Sequence, residues 1–522
     1  MHAAQRRLAH PRKLAIALGA VAATGFEPLG LWPLALAAFA LQIELIARTG
    51  RARDAFLLGW LFGSAHFIVG LNWIVTAFGY QAAMPGWIGW IAEAGLSLYL
   101  AVWPGLAMMA AWWIARGKRH SLALAMAGCW IIGEWLRGWV FTGFPWNPLG
   151  AITLISDSDP HLAYLGKGLG TYALSGLVML LAGAWMLAAH RGRRDWRGAV
   201  LLLAPLALFL IPTAPAVQKQ GTLTYTLVQP DARQEELHDP DRYEATFQRA
   251  MGLSQAKVRG QTRVVLWPES ALPDYLQPGY PAGWYASTTY GGDPLLARER
   301  IGQLIGPGSL LITGNDRLEV ENGRVAGARA GITAIDGQGQ IRATYDKAHL
   351  VPYGEYVPLK WLLVPLGIDR LVPGDIEFWP GPGPRTIDLG AWGRIGMQLC
   401  YEIIFPGKVT QPGHRPDFIF NPSNDGWYGD WGPPQHLAQA RLRAIEEGLP
   451  VLRSTTTGIS AVVDAEGVIR ESIPLRQAAR RDGLVPPAAQ PTLFARLGNG
   501  LSLAWAILLL GLSAVARRRK DG

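Results

Sequence analysis

The sequence of 522 residues is poor in charge and has very few cysteines. Only 17% of its residues are charged, whereas 50% are hydrophobic and 22 are tryptophan. That balance argues against an ordinary soluble protein and is typical of a protein that crosses a membrane several times. The two cysteines, Cys129 and Cys400, are too few for a disulfide framework or a zinc site. No glycine-rich phosphate loop of the P-loop or dinucleotide type is present, so we expect neither a metal nor a cofactor.

The basic residues are distributed as in a membrane protein and not as in a nucleic-acid-binding protein. The formal net charge is +9, but the lysines and arginines fall in short clusters between apolar runs. The clusters occupy every second connection, and the positive-inside rule therefore places these connections and both termini in the cytoplasm. We expect no nucleic-acid partner. The clusters are the N-terminal arm and residues 48–53, 116–119, 191–197 and 517–520.

Eight apolar runs approach or exceed the roughly 20 residues that cross a bilayer as a helix. Seven of them precede residue 214 and one follows residue 492. We therefore predict a membrane domain of seven helices over 1–213, a catalytic domain over 214–492 outside the cytoplasm, and a final helix with a basic tail over 493–522. Pro104 in the fourth run predicts a kink. The runs are residues 13–29, 31–47, 54–77, 87–115, 121–139, 166–189, 197–213 and 497–516.

Two ionisable residues lie within the fifth run. Glu134 and Arg137 are three residues apart, so they share one face of a helix. Charged groups within a span are costly and usually face a cavity or each other. Two interpretations remain open: an internal ion pair that stabilises the span, or part of a site that binds or admits a lipid headgroup.

Strand-like and helix-like stretches alternate between residues 214 and 492. Patterns of strand, turn and strand at 334–341 and 462–469 predict two hairpins. The alternation predicts an α/β or α+β layered sandwich. The predicted strands are Leu223–Val228, Arg263–Trp267, Leu310–Thr313, Ala330–Ile335, Ile395–Cys400, Phe418–Phe420 and Ile459–Asp464, and the predicted helices cover about 241–258, 294–305 and 434–447.

Three residues at strand ends could together perform covalent catalysis. Cys400 offers a nucleophile whose reactive form is the thiolate. Glu269 follows a buried strand and could accept the thiol proton, while Lys347 could stabilise an oxyanion. Glu355 follows closely and could orient the lysine or the base. Each residue alone has an ordinary explanation, as a core thiol, a turn carboxylate or a surface lysine, and the combination is what predicts chemistry.

These residues resemble the catalytic set of the nitrilase, or carbon–nitrogen hydrolase, superfamily, whose fold is an αββα sandwich. The resemblance covers most of residues 220–475. It implies that Glu269, Lys347 and Cys400 are catalytic and that Glu355 is the second glutamate of the set.

The membrane part narrows the resemblance to one branch of that superfamily. The segments Glu134–Gly138 and Thr142–Trp146, the order of the spans and the loop Ser423–Trp427 are similar to those of the apolipoprotein N-acyltransferase family. That family implies a bacterial inner-membrane enzyme whose active site faces the periplasm.

The same resemblance implies a two-step acyl transfer. Cys400 would attack a phospholipid, typically phosphatidylethanolamine, and release a lysophospholipid. The α-amine of a diacylglyceryl-cysteine at the N-terminus of an apolipoprotein would then attack the thioester. Glu269 would be the proton acceptor and Lys347 would stabilise the oxyanion.

Further residues are candidates for supporting that reaction. Tyr401 and Glu402 would support the site around the nucleophile. We also consider substrate-binding roles for a second set, which consists of Trp267, Asn424, Trp427, Glu134 and Arg137.

Two other functions are compatible with parts of the sequence. A membrane-anchored amidase would use the same residues on a small soluble substrate, although it would not need seven spans. A transporter with a regulatory domain would use the spans, but few charges lie within them and the halves show no repeat.

Overall fold

The computed structural model describes residues 10–80, 85–191, 195–213, 221–237, 239–363, 365 and 376–518. The basic arm before residue 10, and parts of the basic clusters at 192–194 and 519–520, lie outside these ranges. Within the described chain the residues group into two compact units. The first comprises residues up to 75, 87–213 and those from 496 onward, and the second comprises 76–86 and 214–495.

The first unit is built from helices. Helix α3 packs on α1 and α6, and α7 packs on α6, α8 and α17. The helices are α1 (Pro11–Ala23), α2 (Trp32–Ala47), α3 (Ala52–Gly70), α5 (Ile88–Leu100), α6 (Val102–Ala115), α7 (Arg119–Arg137), α8 (Gly166–Ala188), α9 (Trp196–Leu210) and α17 (Asn499–Arg518). Helix α4 (Ile74–Gly79) begins in this unit, and its residues from Thr76 onward belong to the second.

Each apolar run of the sequence coincides with one or two of these helices. By length and composition, three helical stretches are long and apolar enough to cross a membrane: Ile88–Ala115, His161–Ala188 and Asn499–Arg518. Helices α2 and α9 are apolar but shorter. The number of spans therefore stays a prediction.

The kink predicted for the fourth apolar run is present as a break between two helices. Helix α5 ends at Leu100 and α6 begins at Val102. Pro104 lies in the first turn of α6, where its missing N–H costs little, while its ring would collide with the carbonyl of Leu100 in one continuous helix. The proline therefore accounts for the break between the two helices.

The second unit contains two six-stranded sheets. Their orders are β14-β1-β2-β3-β6-β7 and β13-β12-β11-β10-β9-β8, and β4 pairs with β5 in a separate hairpin. The strands are β1 (Thr224–Gln229), β2 (Arg263–Leu266), β3 (Ser309–Gly314), β4 (Arg317–Glu321), β5 (Arg324–Arg329), β6 (Gly331–Asp336), β7 (Ile341–Asp346), β8 (Arg385–Asp388), β9 (Arg394–Met397), β10 (Phe418–Ser423), β11 (Val451–Thr455), β12 (Ser460–Val463), β13 (Ile469–Ile473) and β14 (Ala479–Leu484).

Alternating side chains place this unit's core between the two sheets and its helices outside them. Leu227 and Leu266 pack with Phe418 and Phe420 of the other sheet, whereas their neighbour Val228 packs against a helical layer. Because successive side chains of a strand point to opposite faces, one face of each strand contacts the other sheet and the opposite face contacts the helices. The helices of the unit are α10 (Gln234–Leu237), α11 (Pro240–Ser254), α12 (Ala282–Thr288), α13 (Pro294–Ile305), α14 (Lys360–Leu363) and α15 (Gly432–Glu447), and α16 (Leu493–Leu497) follows.

The predicted αββα sandwich is thus confirmed, including both hairpins. Helices α11 and α13 cover the first sheet, and α15 packs on β11 and β12 of the second. The hairpins are β6–β7 and β12–β13. Strands β1, β2 and β3 run parallel, as do β9, β10 and β11, so their carboxyl ends lie at a common edge in each sheet.

The close packing of α13 on the hairpin β6–β7 can be tested at a glycine. A Cβ at Gly302 would lie 2.5 Å from the backbone nitrogen of Gly339. We expect Gly302→Ala to lower the free energy of unfolding of the second unit by about 1–3 kcal/mol, because the backbone would have to move to admit the methyl group.

Gly252 in α11 is the matched control, because a Cβ there meets nothing within 4 Å. Gly252→Ala should leave stability unchanged or raise it by up to about 1 kcal/mol through helix propensity. Thermal unfolding monitored by tryptophan fluorescence measures both, and equal shifts for the two variants would contradict this packing.

Candidate active site

The two sheets bring the three predicted catalytic residues to the carboxyl ends of their strands. Glu269 follows β2, Lys347 directly follows β7, and Cys400 follows β9. The Gly314 amide donates to the Pro268 carbonyl at 3.1 Å, and a Cβ at Gly314 would lie 2.5 Å from the Cα of Glu269. A glycine is therefore needed at the end of β3 for Glu269 to occupy its position.

Cys400 occupies a strained backbone position. Its φ is +50°, in the left-handed region that residues with a side chain rarely adopt. The expectation that its strand runs to Cys400 is wrong, because β9 ends at Met397 and Cys400 opens a short 3₁₀ turn. The Cys400 carbonyl accepts from Asn421 Nδ2 at 3.3 Å and lies 3.2 Å from His436 Nε2.

Lys347 is a buried cation between two carboxylates. Its side chain is 1% exposed, and its Nζ lies 2.7 Å from Glu355 Oε1 and 3.5 Å from Glu269 Oε1. Burial alone would lower the pKa of Lys347, but the charges of Glu355 and Glu269 outweigh it and raise that pKa. The lysine therefore stays charged, and Glu355 holds it as expected from the sequence.

The Cys400 thiol is protonated in the resting protein. Burial raises its pKa most, the Glu269 charge and the hydrogen bond to that carboxylate raise it further, and Lys347 acts in the opposite direction. The Tyr428 hydroxyl lies 3.6 Å from the sulfur. Reaction at neutral pH therefore needs a base, and Glu269 is the carboxylate hydrogen-bonded to the thiol.

Glu269 is oriented by the loop after β10. The backbone N–H of Asn424 donates to Glu269 Oε2 at 2.9 Å. Its other oxygen is the one that faces Lys347. The carboxylate thus bridges the two sheets beside the thiol.

Glu402 holds two segments of the site together. It accepts from the Tyr345 hydroxyl at 2.8 Å and from the backbone amides of Ala348, His349 and Leu399 at 2.7–3.1 Å. This group of donors joins the segment after Lys347 to the segment before Cys400 and favours the carboxylate form, against burial, which raises the pKa of Glu402 to about 7. Its neighbour Tyr401 is buried, with its ring 5.2 Å from Phe405.

A second buried network, missed by sequence reasoning, holds the Cys400 backbone. Arg453 donates to Asp425 at 2.6 and 2.7 Å, and the three side chains of Arg453, Asp425 and His436 are fully buried. His436 joins the network through its Nδ1, which lies 3.0 Å from Asp425 Oδ1. Arg453 gave no signal, because it lies inside β11 and its partners come from distant parts of the chain.

The contacts of His436 determine its protonation. Its Nε2 must donate, since its partner there is the Cys400 carbonyl. Its Nδ1 lies 2.9 Å from the donor Arg453 Nη2 and 3.0 Å from the acceptor Asp425 Oδ1, and burial together with the Arg453 charge favours an accepting Nδ1. Burial and the Arg453 charge lower the pKa of His436, in agreement with a neutral ring.

Asp316 is a further carboxyl group that the sequence gave no reason to select. It follows β3, at the same sheet edge as Glu269, and its side chain is exposed. The nearby charges of Glu269 and Glu355 disfavour its ionised form and raise its pKa. In the sequence it stands in a polar turn of ordinary composition.

Two residues that the sequence predicts to bind substrate instead form hydrogen bonds within the protein. Trp267 is fully buried and donates to Ser254 Oγ at 2.7 Å, so it offers no surface to a substrate. The Asn424 side chain donates to Gln234 and accepts from Thr456. Trp427 is partly exposed and meets the Tyr80 ring edge-on at 5.7 Å, so it alone of the three keeps a free face.

Glu134 and Arg137 lie in the helical unit, where both organise the segment after α7. Arg137 donates to the carbonyls of Phe144 and Trp146 at 3.0 and 2.8 Å. Glu134 accepts from the Leu149 amide at 2.7 Å. These contacts give both residues a structural role at the end of α7, and the choice between the two interpretations stays a prediction.

In the described ranges, no group of three or more His, Cys, Asp or Glu is placed to hold a metal ion. The charged groups around Cys400 satisfy one another. What the arrangement offers chemically is a buried thiol, a base and a fixed cation.

Two family models match this chain, and named relatives match it over nearly its full length. Residues 18–184 match the apolipoprotein N-acyltransferase N-terminal domain, and residues 228–476 match the carbon–nitrogen hydrolase family. An apolipoprotein N-acyltransferase of Bradyrhizobium diazoefficiens is 35% identical over 97% of this chain and 95% of its own length. The chain belongs to the apolipoprotein N-acyltransferase family. A relative of the same description from Caulobacter vibrioides is 32% identical over 98% of this chain and 94% of its own.

Membership of the family makes this chain an acyltransferase and a membrane protein, and it removes the transporter interpretation. Among solved structures, a carbon–nitrogen hydrolase from Helicobacter pylori G27 is 14% identical. The match covers 57% of this chain and 95% of that protein, with a TM-score of 0.33.

Removing the charge of Glu402 should destabilise the catalytic unit. In Glu402→Gln an amide NH₂ would face donors only, so we expect a loss of at least about 2 kcal/mol. Thermal unfolding measures the loss. Glu299→Gln, at an exposed position of α13, is the control, and similar losses for both variants would contradict the four-donor arrangement.

The neutral His436 predicts a pH dependence of stability. Below its ordinary pKa the unfolded chain binds a proton that the folded ring does not, so stability should fall as the pH falls from about 7.5 to about 5. His436→Gln keeps a donor for the Cys400 carbonyl and should show a smaller fall. Equal pH slopes of the unfolding midpoint in the two proteins would show that His436 is protonated when folded.

Proposed function

We propose that this chain transfers a fatty acyl group from a phospholipid to the α-amine of an S-diacylglyceryl-cysteine at the N-terminus of an apolipoprotein. The observation that carries the proposal is the buried set of Cys400, Glu269 and Lys347 in a member of this membrane acyltransferase family. The product is a triacylated lipoprotein, and the reaction is the last step of lipoprotein maturation.

The first half-reaction forms a thioester. Glu269 takes the thiol proton as Cys400 Sγ attacks the sn-1 ester carbonyl of the phospholipid, typically phosphatidylethanolamine. Lys347, with the backbone amide of Tyr401, stabilises the tetrahedral oxyanion. The C–O bond then breaks, and the proton on Glu269 passes to the leaving oxygen to give the lysophospholipid.

The second half-reaction regenerates the thiol. The amine of the acceptor attacks the thioester, and Glu269 accepts its proton. The C–S bond breaks, the thiolate is reprotonated and the amide product leaves. Splitting the transfer in this way gives ping-pong kinetics. The burial of Cys400 supports the preference for an amine over water, because it limits the access of bulk solvent to the thioester.

The membrane arrangement is part of the proposal. We place eight spans in the bacterial inner membrane, with both termini in the cytoplasm and the catalytic domain on the periplasmic face. The domain boundaries are 1–213, 214–492 and 493–522. Helices at all eight apolar runs and the alternation of basic clusters support this arrangement.

Intact-protein mass spectrometry after incubation with phosphatidylethanolamine tests the proposed chemistry. We expect a mass gain of one acyl chain on the wild type, sensitive to hydroxylamine, and none on Cys400→Ala. Glu269→Gln should slow its formation by at least about 100-fold. The adduct should disappear, with amide formation, when a diacylglyceryl-cysteine peptide is added.

Cys129→Ala is the matched control, because Cys129 is the other buried cysteine and lies in α7. It should form the adduct at the wild-type rate. Absence of any adduct on folded wild-type protein would remove phospholipid as the donor and leave the amidase function, which release of ammonia from soluble amides would then support.

A further inference from the structure

A large polar cavity lies within the second unit beside the site just described. Its volume is about 340 Å³, which exceeds the roughly 30 Å³ share of one water molecule many times. It therefore has room for a polar group of a ligand. Its walls include the hydroxyl-bearing residues Thr76, Tyr80 and Thr457 and the charged residues Arg233, Glu235 and Arg476.

One loop separates this cavity from the nucleophile. Asp425 and Gly426 line it. The residue before them, Asn424, donates its amide to Glu269, and Tyr428 places its hydroxyl 3.6 Å from the Cys400 sulfur. The cavity is therefore lined by the same loop that orients Glu269 and contacts the thiol.

The cavity presents charges of both signs. The side chains of Arg233 and Glu235 are exposed, and neither has a hydrogen-bond or ion-pair partner within the described chain. Their neighbour Glu236, in contrast, accepts from Arg249 at 3.3 Å. Arg476 forms an exposed ion pair with Asp430. A free guanidinium and a free carboxylate two residues apart complement a ligand that is itself a zwitterion.

We propose that the cavity binds the phosphoethanolamine headgroup of the phospholipid donor, an inference that rests on the proposed function. Arg233 and Arg476 hold the phosphate, because planar guanidinium groups bind phosphate oxygens in pairs. Glu235 holds the ammonium, and the hydroxyls of Tyr80 and Thr457 complete the polar wall. The site thereby selects a donor that carries both charges.

Rates of thioester formation with two donors test this assignment. Full-length protein is incubated with phosphatidylethanolamine or with phosphatidylglycerol, which keeps the phosphate and lacks the ammonium. We expect the wild type to favour phosphatidylethanolamine by about tenfold. Arg233→Gln should slow both donors by about tenfold, whereas Glu235→Gln should slow only phosphatidylethanolamine and bring the ratio close to one.

The ratio of the two donors is measured on one preparation, so it does not depend on how much of a variant is folded. Arg259→Gln and Glu299→Gln are matched controls, because both side chains are exposed and neither lines the cavity. The proposed headgroup site is overturned if the wild type forms the thioester at the same rate with both donors. It is also overturned if the ratio of the two rates is the same in Glu235→Gln as in the wild type. Absence of any thioester on the wild type instead overturns the proposed function itself.

Discussion

The buried ion pair of Lys347 with Glu355 and Glu269 is the interaction on which the rest of the site depends. A lysine that is 1% exposed can remain charged only if its desolvation is offset by close anions. Glu355 lies 2.7 Å away and Glu269 3.5 Å away. The lysine in turn attracts Glu269 and opposes the rise in the pKa of the neighbouring thiol. The charge of the lysine and the position of the base therefore depend on each other.

The surrounding fold keeps these groups in place without help from solvent. Glu402 joins the segments that carry Lys347 and Cys400 through four donors. Asn421 and His436 hold the carbonyl of the strained Cys400 residue, and Arg453 fixes His436. The nucleophile is thus presented by a backbone that other buried residues over-determine, which is how strain at a functional site persists.

Much of the catalytic domain could be predicted because local patterns decide it. The alternation along β1, β2 and β3 and the turn residues of two hairpins are readable in sequence, and so are polar residues at the ends of apolar strands. The four central residues, Glu269, Lys347, Glu355 and Cys400, have such positions. Their resemblance to a known catalytic set then gave them candidate roles.

Other features could not be predicted because they depend on tertiary contacts. The backbone conformation of Cys400 is imposed by neighbours far away in the chain, so the end of its strand was misplaced. Its closeness to Glu269 in sequence made Trp267 a candidate for binding substrate. The alternation of side chains instead places it in the core between the first sheet and its helices. Arg453 pairs with Asp425 and His436, and Asp316 lies near the charges of Glu269 and Glu355. Only the folded chain brings these groups together.

A double-mutant cycle on Lys347 and Glu355 tests the central claim most directly. The measured quantity is the thermal unfolding midpoint of the wild type, Lys347→Met, Glu355→Gln and the double variant. Lys347→Met leaves buried carboxylates without their cation, and removing one of them at the same time should relieve part of that cost. We therefore predict that the double variant loses clearly less than the sum of the two single losses. Additive losses would contradict the account, because they would mean that the two charges do not depend on each other.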